Sequence, residues 1–223
     1  MRDESLLRIE AINAKYKFDC TEDKSQEIER LRKLLALPKP SSKILFSPYL
    51  GLRAFTENDN KYFFGRNAEI DELVKKVSEH NFIAVIGPSG IGKSSLVCAG
   101  LIPKLPEIPC FKGKKLLIQT TRPAEFADLI TEIFKEPLMD NIFFVIDQFE
   151  ELFYLSKKQK TRFQRAFFQV LEQSNCHLLI TVRADFYPEL MMSSSCWEKI
   201  KSHRMEITPL NEAALRDAIK KTG

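Results

Sequence analysis

Phe82-Ile83-Ala84-Val85-Ile86, followed by Gly87-Pro88-Ser89-Gly90-Ile91-Gly92-Lys93-Ser94-Ser95, is the stretch on which the reading of this chain turns. Five apolar residues lead into G-x-x-x-x-G-K-S, the pattern of a phosphate-binding loop set between a strand and a helix. Its glycines let the backbone curl until successive N–H groups face inward as a nest for an anion. The helix that follows adds the positive end of its dipole at the same point. The pattern assigns Gly87 through Ser95 to the polyphosphate of a nucleotide. Within it, Lys93 is a point charge for the β- and γ-phosphates, and the Ser94 hydroxyl is a ligand for Mg²⁺. The chain is expected to bind a nucleoside triphosphate.

Outward from this loop, strand-like and helix-like segments alternate. Strands are expected over 82–86, 115–120, 142–146, 177–182 and 204–207, and helices over 67–79, 93–103, 124–136, 158–173 and 211–221. Strands separated by helices imply an α/β fold with a mainly parallel sheet covered on both faces. Ile142-Phe143-Phe144-Val145-Ile146 and His177-Leu178-Leu179-Ile180-Thr181-Val182 are near-continuous apolar runs, as strands buried on both faces should be. Before this, Leu6, Leu7, Ile9 and Ile12, then Ile28, Leu31, Leu34 and Leu35, recur at helical spacing among many charges. Pro38, Pro40, Ser41 and Ser42 make a break. Residues 1–43 are therefore expected to form a helical arm or the remnant of a neighbouring module, with the α/β domain over 44–223.

The bulk figures bound the partners. The chain has 223 residues, enough for one α/β domain and an appendage, and 44% of them are hydrophobic, enough for a core. Its 34 basic and 30 acidic side chains leave a net charge of +4, a mixed surface that does not point to nucleic acid. Lys112, Lys114 and Lys115 read as a solvated turn. Cysteines 20, 98, 110, 176 and 196 show no C-x-x-C spacing and read as free thiols in a reducing cytoplasm. No apolar run nears the ~18 residues of a membrane span. His80, His177 and His203 have no metal-ligand spacing.

A triphosphate site also needs a group for the metal and one to orient water. Asp147 directly follows the apolar run 142–146, which puts it at the carboxyl end of a strand, where ligands of open α/β sheets collect. It is expected to hold Mg²⁺ through water, as the acidic residue of a Walker B motif. Glu150 and Glu151 follow; either can polarise the attacking water, Glu151 slightly ahead, unless both are solvated loop residues. Strand 177–182 ends at Arg183, whose planar fork suits the γ-phosphate in a sensor role, the alternative being an ion pair with Asp185. Upstream, Gly65 permits a tight turn and Arg66 opens a helix, where the dipole disfavours a cation; a contact to nucleotide or to a neighbouring segment would account for it. Phe63 and Phe64 either wall a base pocket or belong to the core.

Taken together, Tyr49-Leu50-Gly51-Leu52-Arg53-Ala54-Phe55, Phe63-Phe64-Gly65-Arg66, the loop 87–95, Asp147-Gln148-Phe149-Glu150-Glu151-Leu152-Phe153 and Arg183-Ala184-Asp185-Phe186-Tyr187 resemble the novel STAND NTPases. These are signal-transduction ATPases with numerous domains, related to the NACHT and apoptotic ATPases. The resemblance covers about residues 46–215. It implies a three-layer P-loop NTPase fold in which an extra strand separates the Walker A and Walker B strands. By it, Lys93 and Ser94 go to phosphate and Mg²⁺, Asp147 to the metal, Arg183 to sensor 1, and Gly65-Arg66 to a motif on the nucleotide side. It further implies ATP and ADP as ligands and self-association, or other domains, as partners in a switch that assembles effectors in bacterial defence or signalling. Against that resemblance, the helical lid and winged-helix region of such proteins are expected to be absent or truncated after Thr208-Pro209-Leu210 and one helix. Without a guanine-reading N-K-x-D motif, adenine is expected. The other readings are a DNA-associated ATPase of the initiator or helicase-loader type and a nucleotide-stabilised scaffold that does not turn over.

Overall fold

The computed structural model describes residues 54–135, 141–192 and 194–222. The arm over 1–43 and the block Tyr49–Arg53 lie outside the described residues. Five strands form one sheet: β1 (Phe82–Gly87), β2 (Leu116–Thr121), β3 (Asn141–Ile146), β4 (Cys176–Arg183) and β5 (Arg204–Glu206). Their order is β2-β3-β4-β1-β5, and every neighbouring pair is parallel. β4 thus separates β1, which leads into the phosphate loop, from β3, which leads into Asp147, as the resemblance implied.

Alternation along the strands divides the apolar side chains between two faces. Phe82, Ala84 and Ile86 of β1, with Ile142, Phe144 and Ile146 of β3, point to one core; Ile83 and Val85, with Phe143 and Val145, point to the other. Helices α3 (Pro123–Ile133) and α4 (Lys157–Leu171) cover the first face with Phe126, Ile130, Phe163 and Phe167. On the second, α1 (Asn67–Glu79) lays down Ile70, Leu73 and Val77 at helical spacing, beside the helix that follows the loop. The result is three layers with the sheet in the middle. α3 begins with Pro at its first turn. A capping box closes α4: the Gln159 N–H donates to Ser156 Oγ (3.3 Å) and the Ser156 N–H to Gln159 Oε1 (3.1 Å).

The helix expected over 93–103 is less regular than its sequence suggests. α2 is α-helical only over Lys93–Ser95, continues as a π-helical stretch over Leu96–Leu101, and tightens into a 3-10 stretch over Ile102–Glu107. Pro103 and Pro106 cannot donate to the helical ladder. Gly100 also lies against α1 so closely that a Cβ there would be 2.8 Å from Ile70 Cγ1. Several short elements carry too little periodicity to be read in advance: 3-10 turns at Glu57–Tyr62, Phe149–Tyr154 and Ala184–Phe186, and helices α5 (Tyr187–Met192) and α6 (Ser194–Ser202) between β4 and β5. α7 (Glu212–Thr222) follows β5.

Candidate active site

Parallel pairing sets all the strand tips at one edge. Gly87 pairs with Arg183, Ile146 with Ile180, and Thr121 with Ile146. Gly87, Arg122, Asp147 and Arg183 therefore emerge side by side. Close packing imposes the first glycine of the loop: a Cβ at Gly87 would lie 2.8 Å from the Ile207 carbonyl oxygen. Gly90 (φ +73°) and Gly92 (φ +94°) are glycines for their left-handed backbone, and nothing lies within 4 Å of where their Cβ atoms would be. Pro88, Ser89 and Gly90 are exposed, so the loop opens outward, with Ile91 and Gly92 half-buried.

Lys93 is buried, and its Nζ donates to the carbonyls of Gly87 (2.9 Å) and Pro88 (2.8 Å). Burial pushes its pKa below the ordinary lysine value, and the carboxylates of Glu150 and Asp147 pull it partly back. The ammonium braces the two ends of a loop open to solvent, at the place from which a lysine reaches phosphate oxygens. Ser95 faces the other way: its Oγ accepts the Phe55 N–H at 3.1 Å, which ties the start of the described chain to the loop helix.

Asp147 is buried, and its Oδ1 accepts from Ser94 Oγ (2.8 Å) and Thr181 Oγ1 (2.6 Å). Thr181 in turn accepts the N–H of Gln148 (3.0 Å), a residue held in the left-handed region at φ 57°. A serine hydroxyl and a carboxylate in contact are hard oxygen donors of the kind Mg²⁺ takes. Among the described residues no cluster of three His, Cys, Asp or Glu could hold a metal. The donor set at Ser94 and Asp147 suits a cation that also draws oxygens from a bound phosphate. Arg122 flanks the acid, with Nη2 3.9 Å from Asp147 Oδ2 and Nη1 3.0 Å from Glu151 Oε1.

The two glutamates part company. Glu150 is buried, its Oε2 accepts the Arg183 N–H at 3.2 Å, and burial raises its pKa above the usual carboxylate value. The Glu151 side chain is 41% exposed and engaged with Arg122. The geometry brings Glu150, rather than the slightly favoured Glu151, beside Lys93 and Asp147. The Arg183 guanidinium binds Asp185, Nε to Oδ1 at 3.1 Å and Nη2 to Oδ2 at 2.5 Å. This contact holds its pKa above, and that of Asp185 below, their ordinary values. Arg66 is buried and donates to Glu69 Oε1 (2.6 Å), Thr208 O (2.7 Å) and Ile91 O (3.2 Å); it clasps the loop to the segment after β5. Gly65 (φ +85°) lies under α7, where a Cβ would be 2.8 Å from Ala214 O. Phe63 packs against the second core, 5.6 Å from the Phe55 ring. Lys112, Lys114 and Lys115 are exposed around Gly113. Sequence reading missed Thr181 and Arg122; a threonine inside the otherwise apolar run of β4 was the available signal for the first.

Cys110 and Cys176 are free thiols, and burial pushes the Cys176 thiol up to about 12, which leaves it inert. Among the described residues no helix is long and apolar enough to cross a membrane.

Comparison with curated proteins finds no match. Among solved structures, the Aeropyrum pernix ORC2 protein in ADPNP and ADP complexes is similar at TM-score 0.49 and 10% identity, over 70% of this chain and 51% of that one. Drosophila ORC bound to DNA follows at 0.49 and 12%, over 89% and 58%. Saccharomyces cerevisiae RIF2 follows at 0.47 and 12%, over 74% and 64%. The chain spans from about half to under two thirds of these structures. The family model of novel STAND NTPase 1 matches residues 48–222, a span that takes in the loop, Asp147, Glu150, Arg66 and Arg183, and the chain belongs to that family.

Proposed function

We propose that residues 44–223 bind ATP with Mg²⁺ at the sheet edge and hydrolyse it, as the switch module of a cytoplasmic signalling or defence assembly. One observation carries this reading. Ser94 of the loop and Asp147, 53 residues further on, meet at 2.8 Å between a buried lysine and a buried glutamate. When bound, the Mg-nucleotide supplies a phosphoanhydride open to attack by water. The chain's own groups then have separate tasks. Loop amides and Lys93 neutralise phosphate charge, Lys93 exchanging its carbonyl partners for phosphate oxygens. Ser94 and Asp147 hold the cation, and Thr181 fixes the carboxylate. Glu150 accepts the proton of the attacking water at its carboxylate, a base whose raised pKa brings it closer to neutrality. Arg183 reads the terminal phosphate, and Gly65-Arg66 shape the loop from behind.

Replacing Lys93 with Ala removes a charge-assisted contact of ~2 kcal/mol, so titration calorimetry should show ATP bound about 30-fold more weakly. Unchanged affinity would remove the basis of the reading. The alternative of a DNA-associated ATPase draws on α4, which carries Lys157, Lys158, Lys160, Arg162 and Arg165 and no acidic residue. Steeply salt-dependent DNA binding by the full chain would favour it.

A further inference from the structure

The tip of β4 holds a side chain in a place that a phosphate could take it from. Arg183 pairs in register with Gly87, the first residue of the phosphate loop. Its guanidinium makes a two-pronged contact with Asp185, at 3.1 and 2.5 Å, and lies 5.5 Å from the centre of the Phe186 ring. Phe186 stacks on Phe153 (5.9 Å, 5° between planes) and meets Tyr154 edge-on at 6.0 Å. Phe153 and Tyr154 belong to the same turn as Glu150, whose Oε2 accepts the Arg183 N–H. The residue is thus anchored by its backbone beside Glu150 while its charged end is drawn outward.

That outward contact is built to be exchanged. The Arg183 and Asp185 side chains are 41% and 54% exposed, and an ion pair so open to water contributes little. A terminal phosphate offers the same planar fork more oxygens and more charge. Any stability the pair contributes is lost when the guanidinium turns to a γ-phosphate, and is kept when only a diphosphate is bound.

We propose that Asp185 is a positioning residue that parks Arg183 on Phe186. The exchange of Arg183 between the Asp185 carboxylate and a γ-phosphate then sets how far the site prefers a nucleoside triphosphate to a diphosphate. This rests on the nucleotide-binding reading above and adds the element that tunes it.

The test uses the full chain with Mg²⁺ and compares the dissociation constants of ADP and the slowly hydrolysed analogue ATPγS by titration calorimetry. Wild type, Asp185→Ala, Asp185→Asn, Arg183→Ala and the Arg183→Ala/Asp185→Ala double variant are measured. Either Asp185 variant should tighten ATPγS about three- to fivefold and leave ADP within about twofold. In the Arg183→Ala background, removing Asp185 should change neither constant, because the pair acts through the arginine. Equal shifts for both nucleotides, no shift, a shift with Ala but not Asn, or an effect that persists without Arg183 would each overturn the proposal. Wild-type protein that binds neither nucleotide overturns the proposed function itself, and this inference with it.

Discussion

Glu150 shows how one buried side chain can hold two opposing roles. Its carboxylate is out of water, so its ionised form is disfavoured in the folded state, and its pKa is raised, burial being the largest cause. With the folded pKa above the unfolded one, the penalty is absent below the ordinary glutamate value and is fully present once the pH has passed the raised folded value. Glu150→Gln should therefore melt above wild type near pH 7, by about 2–4 °C for each kcal/mol recovered, and the gap should close below pH ~4.5. The same variant should keep nucleotide affinity and lose about 10²-fold or more in turnover, measured as phosphate release. Glu151→Gln, whose partner is Arg122, should keep most of the rate. Full turnover in Glu150→Gln would strip Glu150 of the role of base. Thr181 belongs at this scale too: one buried hydroxyl satisfies Asp147 and the strained Gln148 together.

Among the elements, β1 and its loop are the least tolerant. The glycine pattern was legible in the sequence, but its three glycines do different work. Gly87 is excluded from carrying a side chain by Ile207 O at 2.8 Å and by Ile207 Cβ and Ile91 Cγ2 at 3.3 Å. Gly90 is set only by its positive φ. Gly87→Ala should cost ~1–3 kcal/mol by overpacking between β1 and the segment after β5, read by denaturant unfolding, whereas Gly90→Ala should cost ~1 kcal/mol of backbone strain. A larger loss at Gly90 than at Gly87 would contradict this division. The helix after the loop was expected as one α-helix. Its passage through π and 3-10 geometry follows from Pro103, Pro106 and the close approach of Gly100 to α1, and only the prolines are visible without the fold.

Across the whole molecule, Arg66 binds parts that the sequence keeps far apart. It reaches Ile91 of the loop and Thr208, 142 positions further along the chain, while Gly65 beside it receives α7. Arg66→Ala should strand two backbone carbonyls and Glu69, lowering stability by ~2–3 kcal/mol and weakening nucleotide binding through the loop; Arg66→Lys, without the planar fork, should not restore it. Unaltered unfolding in Arg66→Ala would refute the clasp. The parallel sheet, the loop and the position of Asp147 were written in local pattern, and the strand order and the family in the resemblance of several separate blocks. Apolar runs of strand length separated by amphipathic stretches admit few arrangements, and a phosphate loop needs its glycines and lysine in consecutive positions. Which glutamate turns inward, where the arginines spend their charge, and that Thr181 joins the acid side depended on the folded chain. Those choices rest on contacts between residues tens to more than a hundred positions apart, and on which side of a short turn faces the core, neither of which leaves a period in the sequence.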